Sequence, residues 1–219
     1  MRPVLTRGVG ILGGTFDPIH YGHLRMADDA CVALGLAEVR LMPAGNPYHR
    51  PAADRPARRQ DRLAMARLAV DEFPRLAVDA READTDAPSY TVDSLSGLRA
   101  ELGSTPILLL LGADAFVTLP QWMAWERLFE LAHLVLVARP GLALPEPLPG
   151  PLAGQYARRL AGDPSLLSSG TGRIYHQEVA PQPISATAIR NMVRAGKSPD
   201  GLTPPAVIEY IETHHLYRR

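Results

Sequence analysis

The sequence predicts an α/β protein built on a doubly wound parallel sheet. Short apolar runs alternate along the chain with amphipathic stretches of helical period, which is the order of elements in such folds. The runs at 107–111 and 134–138 are almost entirely aliphatic, as strands covered on both faces should be. Polar and glycine-rich segments follow the predicted strands, at the edge where this architecture binds its ligands.

The first half of the chain supplies three strands and three helices. We expect strands at 9–12, 39–42 and 76–79 and helices at 21–34, 59–72 and 91–102. The helix at 21–34 follows from apolar residues at helical spacing and from Gly35, which ends the pattern. A loop rich in Pro, Gly and Arg follows the second strand, and we interpret the Arg-rich run 55–62 as a solvated helix start.

The second half is predicted to hold the two aliphatic strands and then less regular structure. Residues 140–183 are rich in Pro, Gly and small polar residues, so we interpret them as a surface excursion with a short helix at 155–161. Ser185 is expected to cap a helix at 186–195, and Pro204 opens a last helix. The prediction is therefore a single domain over 1–219, with C-terminal helices over 184–219.

Composition excludes several classes of protein. Lys plus Arg and Asp plus Glu both number 23, so no global field recruits nucleic acid or an anionic membrane. One cysteine rules out a disulfide framework, and Cys31 on the apolar face of the first helix is expected to be buried. The first strand begins at Val9 and no apolar run could span a bilayer, so we expect a soluble, cytoplasmic protein.

Residues 10–23, Gly-Ile-Leu-Gly-Gly-Thr-Phe-Asp-Pro-Ile-His-Tyr-Gly-His, carry the strongest functional signal. Gly13 and Gly14 have no Cβ, so a phosphate or a ribose can lie against the backbone. His20 and His23 stand where the first helix opens, and free N–H groups and the helix dipole there favour anions. The stretch therefore predicts a polyphosphate site.

Other interpretations of these residues are weaker. His-x-x-His can be half of a zinc site, but the other histidines form no matching pair except the adjacent His214 and His215. Residues 8–13 fit the G-x-G-x-x-G dinucleotide pattern, yet its apolar positions are the strand itself rather than the turn after it. Residues 196–198 resemble the end of a P-loop, but Asn191 stands where its first Gly should be. A purely structural role for both histidines stays open.

The motif resembles that of bacterial nicotinate-nucleotide adenylyltransferases, within the His-x-Gly-His nucleotidyltransferase superfamily. The resemblance covers nearly the whole chain in the expected order. It continues through Pro43 to Arg50, Ser89 to Leu95, Gly112 to Asp114, Pro120 to Trp122, Arg139 to Gly141 and Ile184 to Arg190. It implies a Rossmann-like nucleotidyltransferase fold with a small C-terminal helical part.

The resemblance implies adenylyl transfer from ATP to nicotinate mononucleotide, giving deamido-NAD and pyrophosphate. The attacking group is already a phosphate, so positioning and charge stabilisation suffice for catalysis. Mg²⁺ is expected to arrive through the ATP phosphates, and the protein to be a monomer or homodimer. Two alternatives stay open: another acceptor, such as nicotinamide mononucleotide or phosphopantetheine, or an inactive nucleotide-binding regulator.

The resemblance also implies residue roles at the ATP end. His20, His23 and Arg190 are the catalytic candidates. The residues expected to bind ATP are Ile11, Gly13, Gly14, Thr15, His20, His23, Gly112, Asp114, Ile184, Ser185, Thr187 and Arg190. The segment from Ser185 is equally an ordinary capped helix, and Asp114 an ordinary turn residue. The family often has a second hydroxyl residue where Ala186 stands.

At the acceptor end, an aromatic platform and donors for a carboxylate are needed. The candidates are Thr15, Phe16, Asn46, His49, Arg50, Tyr90, Thr91, Trp122 and Arg139. Trp122 would stack on the pyridinium ring, although a lone Trp near a helix is more often a core residue. Tyr90 and Thr91 begin a helix whose free N–H groups suit a carboxylate. Tyr48 replaces the second Pro that the family usually has in the loop before His49.

Overall fold

A computed structural model describes residues 7–45, 56–85, 87–138, 144–145, 147–148, 150–180 and 182–218. Six strands in these ranges form one sheet in the order β3-β2-β1-β4-β5-β6. They are β1 (Val9–Gly14), β2 (Glu38–Pro43), β3 (Leu76–Val78), β4 (Ile107–Leu111), β5 (His133–Ala138) and β6 (Ile174–Glu178). Strand β4 runs parallel to both β1 and β5, and β5 runs parallel to β6. This order, with its reversal between β1 and β4, is that of a doubly wound sheet.

Within the described ranges, eight α-helices connect the strands and follow them. They are α1 (Tyr21–Leu34), α2 (Arg59–Val70), α3 (Thr91–Leu102), α4 (Ala113–Val117), α5 (Leu128–Leu131), α6 (Pro151–Arg159), α7 (Ala186–Arg194) and α8 (Pro205–Thr213). Short 3₁₀ turns lie at Leu119–Gln121, Trp125–Arg127 and Pro164–Leu167. No helix among the described residues combines the length and hydropathy that crossing a bilayer requires.

The predicted fold class is confirmed, and most predicted elements lie where the pattern put them. Helices α1 and α3 and strand β4 have the predicted bounds, and β1, β2, β3 and β5 differ by one or two residues at an end. Cys31 is buried, as expected from its place on the apolar face of α1. The two C-terminal helices are also present.

The region 140–183 requires a correction, because part of it belongs to the sheet. Strand β6 pairs with β5 from Leu134↔Ile174 to Ala138↔Glu178. Helix α6 begins at Pro151, four residues before the predicted start, and Leu152 and Leu167 are fully buried. A surface excursion is therefore the wrong description of 151–178. The apolar anchors of this segment are too far apart to produce a periodic pattern.

Contacts along the chain define two compact units. The first unit comprises 1–12, 29–39 and 90–181, and the second comprises 13–28, 40–89 and 182–219. The single-domain organisation stays a prediction.

In the first unit, neighbouring strands align aliphatic side chains in rows. Ile11 is in register with Leu109, Leu109 with Leu134, and Leu134 with Ile174. All four side chains are buried. Aliphatic burial of this kind is the main favourable term in folding.

In the second unit, helices α2 and α8 pack together. Arg62 of α2 is buried, and so is Asp17, which belongs to residues 13–23, called the glycine-rich motif from here on.

Candidate active site

The glycine-rich motif lies at the end of β1, and its two glycines have different surroundings. A Cβ built on Gly14 would lie 2.7 Å from the Phe16 ring, so that glycine lets Phe16 pack over the backbone. A Cβ on Gly13 would meet no atom of the described residues within 4 Å. The space beside Gly13 is therefore open, as the predicted phosphate or ribose contact needs.

His20 and His23 form a pair of stacked imidazoles. Their ring centroids are 3.7 Å apart with an interplanar angle of 23°, and the Phe16 ring meets His23 edge-on at 5.0 Å. Gly22 makes room for the pair, since a Cβ there would lie 2.8 Å from His20 Nδ1. His23 Nδ1 is buried, and no described residue partners it.

Both imidazoles are neutral at physiological pH. Burial lowers the pKa of His20 from 6.5 to about 4. Burial, and then the neighbouring His20, hold the pKa of His23 well below its usual value. A neutral imidazole still has one N–H to donate. The pair can therefore donate hydrogen bonds to a phosphate without carrying full positive charge.

The start of α1 differs from the expectation of free backbone donors. Tyr21 N–H donates to Leu202 O at 2.9 Å, and His23 N–H donates to His20 O at 2.9 Å. Two of the first N–H groups are thus already used. Leu202 belongs to the segment before α8, a long-range contact that the local sequence pattern does not show.

Arg190 reaches the motif from α7. Its Nη1 donates to the main-chain oxygen of Asp17 at 2.7 Å and lies 3.7 Å from Asp17 Oδ2. Its Nη2 is 3.4 Å from Thr187 Oγ1. Ser185 caps α7 by accepting from Ala188 N–H at 3.2 Å. A guanidinium has five N–H donors, so Arg190 keeps capacity for a further oxygen ligand.

Arg62 holds the loops around the motif through three main-chain oxygens. It donates to Thr15 O and Gly45 O at 2.7 Å each, and to Ala57 O at 3.1 Å. Arg62 is 1% exposed and Asp61 is 4% exposed. The interpretation of 55–62 as a solvated helix start is therefore wrong for these two residues.

The first unit contains several of the other described candidates. Asp114 is exposed in the first turn of the five-residue helix α4, directly after Gly112. Trp122 is half-buried at the end of a 3₁₀ turn, where its main-chain N–H donates to the main-chain oxygen of Leu119 at 2.9 Å. Tyr90 and Thr91 are half-buried at the start of α3.

Comparison with known proteins over nearly the whole chain shows its family. The cytidylyltransferase-like family profile matches residues 11–192. A protein of Pseudomonas putida (strain GB-1), described as a probable nicotinate-nucleotide adenylyltransferase, is 46% identical over 213 residues, covering 97% of this chain and 95% of the relative. A protein of Halorhodospira halophila with the same description is 49% identical, covering 92% of this chain and 91% of the relative.

The chain belongs to the nicotinate-nucleotide adenylyltransferase family.

Solved structures agree at the level of fold. A Plasmodium falciparum nicotinic acid mononucleotide adenylyltransferase complexed with APC superposes with a TM-score of 0.69 at 16% identity, covering 96% of each chain. The same Plasmodium enzyme complexed with NaAD gives a TM-score of 0.68. Membership of the adenylyltransferase family confirms the predictions of a nucleotidyltransferase, of an enzyme and of a role in NAD biosynthesis.

Within this family frame, the structure brings together only some of the predicted site residues. In the second unit the His23 ring contacts the rings of both Phe16 and His20, and Arg190 contacts the same motif through Asp17. Thr15 lies nearby in sequence and is held by Arg62, which donates to its main-chain oxygen. Ile11 is paired in the sheet and 1% exposed, so it presents almost no surface to a ligand.

The other predicted residues divide into two groups. Ile184 is half-buried just before α7, and its N–H donates to Gln182 O at 2.8 Å. Asn46, His49, Arg50 and Arg139 lie outside the described residues. Their predicted roles, like the other residue roles, stay predictions.

Sequence reasoning missed Asp17, Arg62 and Tyr217 as parts of this site. Asp17 Oδ1 accepts from Tyr217 Oη at 2.7 Å and from Ala57 N–H at 3.0 Å. A signal for Asp17 was present, since it lies inside the motif. No local signal exists for Arg62 or Tyr217, whose partners are distant in the chain.

Proposed function

We propose that this adenylyltransferase joins the adenylyl group of ATP to nicotinate mononucleotide, producing deamido-NAD and pyrophosphate for NAD biosynthesis. The observation that carries this proposal is the stacked, neutral pair His20 and His23 beside the open face of Gly13, in a chain of this family. A further support is the nearby Arg190, which brings a permanent positive charge to the same motif.

The reaction requires little from the protein beyond positioning and charge. A phosphate oxygen of nicotinate mononucleotide attacks the α-phosphorus of ATP, and the bond from that phosphorus to the bridging oxygen of the β-phosphate breaks. Pyrophosphate leaves with the electron pair, and no proton has to move. His20 and His23 donate to phosphate oxygens on which charge builds, and Arg190 binds the leaving pyrophosphate.

We propose that Mg²⁺ enters with ATP, bound to its phosphates and to few protein atoms. The Asp17 carboxylate is engaged by Tyr217, Ala57 and Arg190, which leaves it poorly suited to a metal. Among the described residues, no group of three or more His, Cys, Asp or Glu side chains is arranged to hold a metal ion. The ion would neutralise phosphate charge and leave the chain to orient the nucleotide.

For the acceptor, we propose that Trp122 stacks on the pyridinium ring and that the start of α3 binds the ring carboxylate. Asp93 N–H and Ser94 N–H donate to Tyr90 O. The N–H groups of Thr91 and Val92 have no backbone acceptor among the described residues. Such groups at a helix start are natural donors to an anion. We propose that the protein is cytoplasmic and acts as a monomer or a homodimer.

The test of function is pyrophosphate release by the purified protein with ATP, Mg²⁺ and a panel of acceptors. Nicotinate mononucleotide is expected to give the highest kcat/KM. Preference for nicotinamide mononucleotide or phosphopantetheine would show that the proposed acceptor is wrong and that the proposed adenylyl transfer is right. No release with any acceptor, together with measurable ATP binding, would favour a regulatory protein.

The acid should be preferred over the amide. Backbone N–H groups only donate, so a carboxamide would turn its own NH₂ toward them. We expect kcat/KM for nicotinate mononucleotide to exceed that for the nicotinamide form by at least about a hundredfold. Trp122→Ala should weaken the binding of both acceptors and leave the ratio of their kcat/KM values unchanged. Equal kcat/KM values in the unmodified protein would contradict the assignment of the carboxylate site.

A further inference from the structure

The segment after α8 bends back toward the glycine-rich motif. His215 and Tyr217 have φ angles of 52° and 61°, in the left-handed region that side chains other than glycine rarely adopt. Through this bend the Tyr217 hydroxyl donates to Asp17 Oδ1 at 2.7 Å, across 200 positions of sequence. A bulky residue stays in this strained backbone conformation only where its contacts hold it there, which makes the hydrogen bond of Tyr217 a candidate for a functional role.

Asp17 connects this tyrosine to Arg190. The residue is 5% exposed, and its carboxylate receives Tyr217 and Ala57 on Oδ1 while Arg190 Nη1 lies 3.7 Å from Oδ2. The same Nη1 donates to the main-chain oxygen of Asp17 at 2.7 Å. A buried carboxylate held by two donors has little freedom to turn. It therefore presents a fixed negative charge to the guanidinium.

We propose that Tyr217 is a positioning residue for Arg190: it fixes the Asp17 carboxylate that holds the guanidinium in place for the ATP phosphates. This inference rests on the proposed function, in which Arg190 binds those phosphates. Tyr217 is not itself a ligand of the substrate, and it acts on Arg190 through its hydrogen bond to Asp17.

The phenol is well suited to this task. Burial, and then the Asp17 carboxylate, raise the pKa of Tyr217 well above that of an ordinary tyrosine. The hydroxyl therefore stays protonated and remains a donor at every pH at which an enzyme is assayed. A hydrogen bond to a charged acceptor is among the stronger ones in proteins.

Tyr210 provides a matched control on the same C-terminal region. It lies in α8, and its hydroxyl donates to Asp61 Oδ1 at 3.1 Å. Asp61 also pairs with Arg58 at 3.1 Å. Tyr210→Phe therefore removes one phenol–carboxylate bond, as Tyr217→Phe does, but at a carboxylate that does not contact the motif or Arg190.

The experiment compares Tyr217→Phe and Tyr210→Phe, each in the natural protein and in an Arg190→Ala background. Tyr217→Phe should raise KM for ATP and lower kcat/KM by about tenfold, while KM for the acceptor stays the same. Tyr210→Phe should leave both constants unchanged. In the Arg190→Ala background, Tyr217→Phe should change kcat/KM by less than about twofold, because the residue it positions is gone.

Thermal unfolding with and without ATP gives a second measurement that does not need turnover. The rise in Tm caused by ATP should be smaller for Tyr217→Phe than for Tyr210→Phe. Normal kinetics and a normal ATP-induced rise in Tyr217→Phe would overturn the inference. An equal loss of kcat/KM in both backgrounds would do the same, since it would show an effect independent of Arg190. Failure of the proposed function looks different: the natural protein would be inactive, or Arg190→Ala would be fully active.

Discussion

Both compact units bury aliphatic side chains, but the buried Asp and Arg side chains of the described residues all lie in the second unit. The first unit aligns aliphatic side chains across four strands, with Leu109 and Leu134 at its centre. The second unit buries charged side chains, chiefly Asp17 and Arg62, and satisfies them with hydrogen bonds. Apolar rows tolerate changes of shape poorly but need no specific partner. Buried charges need every partner, so the second unit should be specific in function and sensitive to single polar substitutions.

The largest expected effect separates chemistry from core packing. His20→Ala or His23→Ala should lower kcat by about 100- to 1,000-fold, as loss of a donor to developing charge does, with Tm nearly unchanged. Leu109→Ala in β4 should do the opposite, lowering the free energy of unfolding by about 2–5 kcal/mol while kcat is preserved below Tm. Steady-state kinetics and thermal unfolding measure both.

Replacement of either histidine by Asn or Gln should retain more activity than Ala, because a donor remains. The catalytic interpretation fails if the alanine variants lose much of their Tm and keep kcat. The histidines would then be structural.

The second effect concerns the buried guanidinium. Arg62→Met keeps much of the side-chain volume but leaves the main-chain oxygens of Thr15, Gly45 and Ala57 without this donor. The free energy of unfolding should fall by about 3 kcal/mol. Arg67→Met on the exposed face of α2 is the control and should change it by less than about 0.5 kcal/mol. Urea denaturation gives both values, and equal stabilities would show that the Arg62 contacts contribute little.

The third effect is a pH dependence of stability. In the folded chain the pKa of His20 is about 4, whereas in the unfolded chain it returns to about 6.5. Between these values the unfolded state binds more protons, so stability is lost as the pH falls from 6.5 toward 4. The loss of stability due to His20 across this range is on the order of 3 kcal/mol.

The double variant His20→Gln, His23→Gln should flatten the dependence of Tm on pH over that range. The exposed His215→Gln serves as the control and should follow the natural protein. Identical pH profiles for all three proteins would show that the imidazole pair is not held neutral by the fold.

The smallest effect tests the open space beside Gly13. Gly13→Ala adds a methyl group where no atom of the described part of the chain lies within 4 Å, so Tm should not change. If a phosphate or ribose occupies that space, the Kd for ATP should rise by about tenfold. Gly162→Ala in the first unit also meets no atom within 4 Å and is the matched control. Isothermal titration with ATP distinguishes them, and an unchanged Kd in Gly13→Ala would move the nucleotide away from this glycine.

The strands and helices were predicted from the sequence more accurately than the polar contacts of the site. Strand β4 and helices α1 and α3 were placed with their observed bounds because their periodicity is local. Strand β6 was missed because Ile-Tyr-His-Gln-Glu has one buried residue and follows a Pro- and Gly-rich stretch. The motif at residues 13–23 could be recognised from the sequence because its glycines and histidines lie close together in the chain.

Long-range polar contacts have no comparable local pattern. Arg62 bonds a main-chain oxygen 47 positions away, and Tyr217 bonds a carboxylate 200 positions away. Any residue can offer a main-chain oxygen, so nothing in the side chain of Thr15 or Gly45 marks it as a partner of Arg62. Such contacts become visible only when the fold has brought the segments together.

The two edges of the sheet have a consequence for how copies of this chain meet. An exposed, long and apolar edge strand is a template for pairing with a second molecule. Strand β3 has three residues, and β6 exposes His176 and Glu178 and buries only Ile174. Both edges are thus poor templates for strand addition, which protects a concentrated solution of this enzyme from sheet-mediated aggregation.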